Sequence, residues 1–168
     1  MINAREEWYA VYTKPRFEKK VAEGLGLSGF CHYCPLKKVV RQWHDRKKTV
    51  IEPLFPSYVF VKTDKRNMWR VKELDGVLNY VHRQGKPAVI RDDEINAIKL
   101  FLDQYSDVMV SGAAVRVNDK VLITSGHLKG LEAKVISTRG KQVKLEIPSL
   151  SMSLTAVVSS SDLSTIEN

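Results

Sequence analysis

Apolar and polar positions alternate with period two in "EEWYAVYTK", residues 6–14, where Trp8, Ala10 and Tyr12 oppose Tyr9, Val11 and Thr13. That alternation predicts a strand, because successive side chains of extended backbone point to opposite faces. Pro15 suits the first turn of a helix, and "RFEKKVAEGLGLSGF" sets Phe17, Val21 and Leu25 at helical spacing before glycines end it. Two extended segments follow, "FCHYCPLKKVVRQW" and "KTVIEPLFPSYVFVK", joined across "HDRKK", and "RNMWRVKEL" is short and helical in character. "VLNYV" and "KPAVI" flank "HRQGK" as a hairpin. "RDDEINAIKLFLDQY" opens on acids and brings Ile95, Ile98 and Leu102 onto one helical face.

Beyond that helix the pattern changes. Residues 104–113 contain Ser111-Gly112 and no strong periodicity, and they read as a linker. "DKVLITSG", "LEAKVIST", "KQVKLEIP" and "SLTAVVSS" are four short β-rich runs whose spacing predicts a small all-β barrel. The expectation is therefore an α+β domain, a linker and a small all-β domain.

Charge sharpens this division. Residues 1–102 hold 20 lysines and arginines against 12 acids, whereas residues 103–168 hold seven of each. The whole net charge of +8 thus sits in the first part, which points to a polyanionic partner there or to a basic surface that merely keeps a small domain soluble. No stretch approaches the roughly 18 apolar residues of a membrane span, and "MINAREEWYA" lacks the order of a signal peptide. A cytoplasmic protein without a membrane partner is expected, and two cysteines agree with that.

Those cysteines, Cys31 and Cys34 in "CHYC", have the spacing of a zinc knuckle, with His32 and His44 as further ligands. On a strand, however, residues three apart face opposite sides of the sheet, and no helix follows to activate a redox thiol. Buried or half-buried thiols are the better reading. No catalytic motif is present: "GLGLSG" ends a helix instead of opening one, so its amides do not form a phosphate site. The chain is expected not to be an enzyme and to need no cofactor or metal.

"KKVVRQWHDRKK", Lys37 to Lys48, carries six basic residues, one acid and Trp43 at a hairpin tip. Arg41, Arg46, Lys47 and Lys48 suit phosphates, and Trp43 suits stacking on an unpaired base. A solvated tip whose lysines discourage edge pairing is the alternative. In "EPLFPSYVFV" strict alternation sets Phe55, Val59 and Val61 against Leu54, Tyr58 and Phe60. Both faces are apolar, so both need covering, by the domain's own core or in part by a partner.

"WYAVYTK", Pro35, "PLFPSYVFV", "DGVLNYV", "GKPAVI" and "VNDKVLITSGHLKGLEAKVI" occur in an order that resembles the NusG family of transcription elongation factors. Within it, "EPLFPSYVFV" and "CPLKKVVRQWHDRKK" resemble the operon-specific antiterminators of the RfaH and UpxY type, the latter associated with surface-polysaccharide operons. The resemblance implies an NGN domain over residues 5–103, with an antiparallel sheet flanked by helices. A linker over 104–113 and an SH3-like KOW barrel over 114–166 would follow. It implies docking on the clamp helices of the large RNA polymerase subunit through Tyr12, Phe55, Tyr58, Phe60 and Ile95. Lys14 and Arg16 would lie near the non-template strand or upstream DNA, with nascent RNA a further partner. Met68, Trp69 and Arg70 would fall near the opposite polymerase lobe. The loop Ser125, Gly126, His127, Leu128 and Lys129 would receive a ribosomal protein or termination factor. Ala133 stands where the family often has glycine. A ribosome-associated RNA-binding protein with a KOW barrel is the rival reading, and the neutral second half speaks against it. If Phe55 joins Tyr58, the chain must break its alternation near Pro56.

Overall fold

A computed structural model describes residues 4–105, 108–112, 119–123, 132–135, 142–157 and 163–165. The chain divides into two compact units, residues 1–92 and 93–168.

In the first unit β1 (Glu7–Thr13) leads to α1 (Glu18–Leu27), then β2 (Cys31–Tyr33), β3 (Leu36–Gln42), β4 (Lys47–Pro53) and β5 (Tyr58–Thr63). A short α2 (Met68–Lys72) precedes β6 (Val77–Tyr80), β7 (His82–Arg83), β8 (Lys86–Pro87) and β9 (Val89–Ile90). The main sheet runs β2-β5-β1-β6, with β9 also paired to β1, and its pairings are antiparallel. "VLNYV" and "KPAVI" therefore do not zip together along their length: β6 and β9 each pair with β1, and only β7 and β8 pair as a hairpin. β3 and β4 leave the sheet as a two-stranded ribbon of their own.

Helix α1 starts three residues later than Pro15 suggests. Arg16 has φ 66°, a left-handed conformation that no α-helix contains, so Pro15 belongs to the turn ahead of it. Val21, Ala22 and Leu25 of α1 are buried with Tyr9 and Val11 of β1, Val59 and Val61 of β5, Val71 and Tyr80. Each such aliphatic side chain contributes about 1.5–3 kcal/mol on leaving water. Packing on this face is tight at Gly76, where a Cβ would lie 2.5 Å from Phe17 Cδ1.

The second unit holds α3 (Asp92–Gln104), whose first residue is the last of the first unit, and β10 (Met109–Gly112), β11 (Asp119–Ile123) and β12 (Glu132–Val135). β13 (Gln142–Ile147), a 3-10 turn at Pro148–Leu150, β14 (Met152–Val157) and β15 (Leu163–Thr165) complete it. The strands form a six-stranded antiparallel sheet in the order β10-β14-β13-β12-β11-β15. The four expected β-rich runs correspond to β11 through β14. β10 lies inside the stretch that local pattern marks as a linker, and it is held as a strand by pairing with Met152–Thr155. On α3 the buried apolar stripe is Ile95, Ile98 and Phe101, so the core side passes through Phe101 and leaves Leu102 half-buried. Glu94 is also buried, accepting bonds from the Ser149 N–H (3.1 Å) and the Ser149 hydroxyl (2.5 Å).

Candidate functional site

The register of β1 on β5 pairs Tyr12 with Tyr58, Ala10 with Phe60 and Trp8 with Lys62. These six share one sheet face, while Tyr9, Val11, Val59 and Val61 take the other and bury against α1. Lys62 and Trp8 are both anchored on Asp92: the ammonium donates to Asp92 Oδ1 at 2.8 Å and the indole N–H at 3.0 Å. The Lys62 contact, ahead of the smaller contribution from Trp8, holds the Asp92 carboxyl below its ordinary range.

Phe55 belongs with Phe60 despite sharing parity with the valines. Their rings meet edge to face at 5.5 Å. The chain breaks alternation in a turn: Ser57 has φ 63°, the Tyr58 N–H donates to Phe55 O (3.2 Å), and β5 begins only at Tyr58. Two further bonds fix that turn. The Thr13 N–H donates to Ser57 O at 2.9 Å, and the Ser57 N–H donates to the buried Glu18 carboxylate at 2.6 Å.

Of the five docking candidates, Tyr12 is 37 % exposed and Tyr58 half-buried, and their rings stand 4.9 Å apart at the sheet end. Burial, reinforced by a hydrogen bond with Tyr12, pushes the Tyr58 phenol up to about 12. Phe55, Phe60 and Ile95 are buried. Lys14, like Lys20, reaches Asp75 (3.6 and 2.7 Å) and lies over the Phe17 ring, whereas Arg16 is exposed. Trp69 is exposed, and the Arg70 guanidinium covers the Phe30 ring at 5.1 Å.

The other candidates lie on the β3–β4 ribbon. Its register pairs Arg41 with Lys48 and Gln42 with Lys47, and the Trp43 N–H donates to Arg46 O (2.9 Å), leaving His44 and Asp45 as the reversal. Alternation then places Lys37, Arg41, Trp43, Arg46 and Lys48 on one face, and Leu36, Lys38, Val40, Lys47 and Ile51 on the other. Consistent with this, the Lys48 ammonium sits 6.0 Å over the Trp43 ring. Arg41 bonds the Glu52 carboxylate at 2.7 Å, which lowers that carboxyl's pKa, and Lys19 ties the ribbon to α1 by donating to Ile51 O at 2.7 Å.

The two thiols face opposite sides of the sheet. Cys31 pairs with Lys62 and is exposed at the end of the sheet, so it is not one of the buried thiols expected. Cys34 packs half-buried against the α1 core, where burial raises its pKa to about 11. Among the described residues no group of three or more His, Cys, Asp or Glu is placed to hold a metal ion. The Ser125–Lys129 loop lies outside the described residues.

Glu18 and Asp75 carry no sequence signal of their roles, because each acts on residues 39 and 55 positions away. Only the fold makes them neighbours.

An antiparallel sheet with few helices, an aromatic pair at one strand end and a basic two-stranded ribbon together describe a mixed α/β fold. The model of the family "Transcription termination factor nusG" matches residues 6–99. The chain belongs to the NusG family of transcription termination/antitermination factors. Transcription termination/antitermination protein NusG of Streptococcus pyogenes is 29 % identical over 154 residues, covering 82 % of this chain and 84 % of its own. The protein of the same name from Thermus thermophilus is 26 % identical over 160 residues, covering 84 % and 87 %. A solved structure of Thermotoga maritima NusG superposes over 97 % of this chain and 98 % of its own with TM-score 0.54 at 24 % identity, a likeness of fold. No helix among the described residues is long and apolar enough to cross a membrane.

Proposed function

We propose that this protein binds RNA polymerase through an N-terminal domain over residues 5–103 and suppresses pausing or termination, acting by binding energy alone. The observation that carries this is the family match over residues 6–99, which contains the sheet that displays Tyr12 and Tyr58. In this reading Tyr12 and Tyr58 form the exposed part of a surface for the clamp helices of the large subunit, with Phe55 and Phe60 packed on the same sheet face. Lys14, Arg16 and the ribbon meet non-template or upstream DNA. The NGN domain spans 5–103, and a KOW domain over 114–166, an SH3-like barrel joined through 104–113, recruits a ribosomal protein or termination factor. The resemblance of "EPLFPSYVFV" to RfaH and UpxY proteins supports an operon-specific role.

A factor that holds two polymerase lobes together shifts the population away from the paused state, by no more than its difference in affinity for the two states. A preference of about 1.4 kcal/mol changes that ratio tenfold. The test is co-purification with RNA polymerase and pause lifetime in purified transcription. Retention on polymerase with shortened pauses is expected; tight RNA binding with no retention on polymerase would instead favour the ribosome-associated reading.

A further inference from the structure

We infer that the tip of the β3–β4 ribbon is a site for single-stranded nucleic acid, in which one unpaired base stacks on Trp43 while adjacent phosphates lie against Arg41, Arg46 and Lys48. This rests on the nucleic-acid contact proposed above and narrows it to a strand state and a face.

Three observations converge. Trp43 is 56 % exposed although it is a large apolar side chain, and it stands where the ribbon reverses. The register sets Arg41, Arg46 and Lys48 on its face, with the Lys48 ammonium already 6.0 Å from the ring. Arg41, Gln42, Trp43 and His44 line a surface concavity there, and the Gln42 amide donates to Trp43 O at 3.0 Å, which steadies the turn.

The chemistry selects an unpaired strand. An indole gains stacking energy on any base whose π-face is free, whereas in a duplex both faces are already stacked and opening a step costs a few kcal/mol. Cations beside the indole, on the same face, can neutralise the phosphates that flank a stacked base. The opposite face carries only Lys38 and Lys47 among the exposed aliphatics Leu36, Val40 and Ile51, so it lacks both a stacking platform and a cation cluster.

The test uses the full chain, oligo(dT), oligo(rU) and a blunt duplex, read by anisotropy across a salt series. Trp43→Leu is expected to weaken oligo(dT) binding roughly tenfold or more with little change in salt slope, Trp43→Phe to retain most of it, and duplex binding to stay as it was. Arg46→Ala with Lys48→Ala should reduce the slope by about 1.4, at roughly 0.7 per phosphate, while Lys38→Ala with Lys47→Ala should not. In a Trp69→Phe background, oligo(dT) should quench the remaining exposed indole. Comparing oligo(dT) with oligo(rU) separates a DNA strand from an RNA strand as the source. Unchanged oligo(dT) affinity in Trp43→Leu, or an equal loss on duplex, overturns the assignment. Because no polymerase is present in this assay, loss of polymerase retention would overturn the proposed function while leaving this site intact.

Discussion

The turn at Phe55–Ser57 depends on single contacts that can be removed one at a time. Glu18 accepts the Ser57 N–H in a buried position, so Glu18→Ala leaves an amide without its charged partner and is expected to cost about 1–3 kcal/mol. Glu18→Gln keeps an acceptor oxygen and should cost less; chemical denaturation of the two variants measures the difference. The same residue positions Phe55 on the Phe60 side, so Glu18→Ala should also weaken polymerase retention. At Gly76, φ 94° and the contact of a Cβ with Phe17 together make Gly76→Ala costly by about 2–4 kcal/mol, visible as a lowered midpoint. Tyr9 and Tyr58 titrate near 12, with burial the first cause of each. Their folded pKa values lie above the unfolded value of 10.0, so the neutral phenols stabilise the fold fully below about pH 10. That contribution is lost as pH rises from 10 towards 12, and denaturation midpoints at pH 9 and 11 should differ accordingly.

At the scale of elements, β5 presents different side chains on its two faces. Val59 and Val61 bury against α1, whereas Tyr58 and Phe60 line the opposite side. Val59→Ala should therefore cost stability, about 1–3 kcal/mol for the lost methyl groups and the space they leave, with polymerase affinity of the folded fraction preserved. Tyr58→Ala combined with Tyr12→Ala should do the reverse, cutting polymerase retention tenfold or more while the far-ultraviolet spectrum stays native. Alternation made β1 and α3 legible in the sequence, because a half-buried strand or helix repeats its apolar positions locally. It did not disclose that β6 and β9 both join β1, since pairing partners are chosen by contacts across the chain. Nor did it reveal β10, a strand stabilised by pairing with β14 more than by its own pattern.

For the whole molecule, the basic excess and the family match fall on the same part of the chain. All of the excess positive charge belongs to residues 1–102, and the family match covers residues 6–99. Association with the transcribing polymerase should accordingly weaken as salt rises, and the Arg46→Ala, Lys48→Ala variant should flatten that dependence. A salt response identical to the unaltered protein would remove the ribbon from the complex.

The sequence by itself determined the main strands and the helices up to α3, the basic excess of the first part, the ribbon's cations and indole, and the family. These follow from local periodicity, composition and short matched segments, which need no knowledge of distant contacts. Tertiary structure alone decided which side each group takes. A left-handed Ser57 returns Phe55 to the Phe60 face, and the β3–β4 register gathers Arg41, Trp43, Arg46 and Lys48 on one side while sending Lys47 to the other. The physical reason is that side-chain direction in extended chain has period two, so one turn residue or a one-residue change of register reverses it.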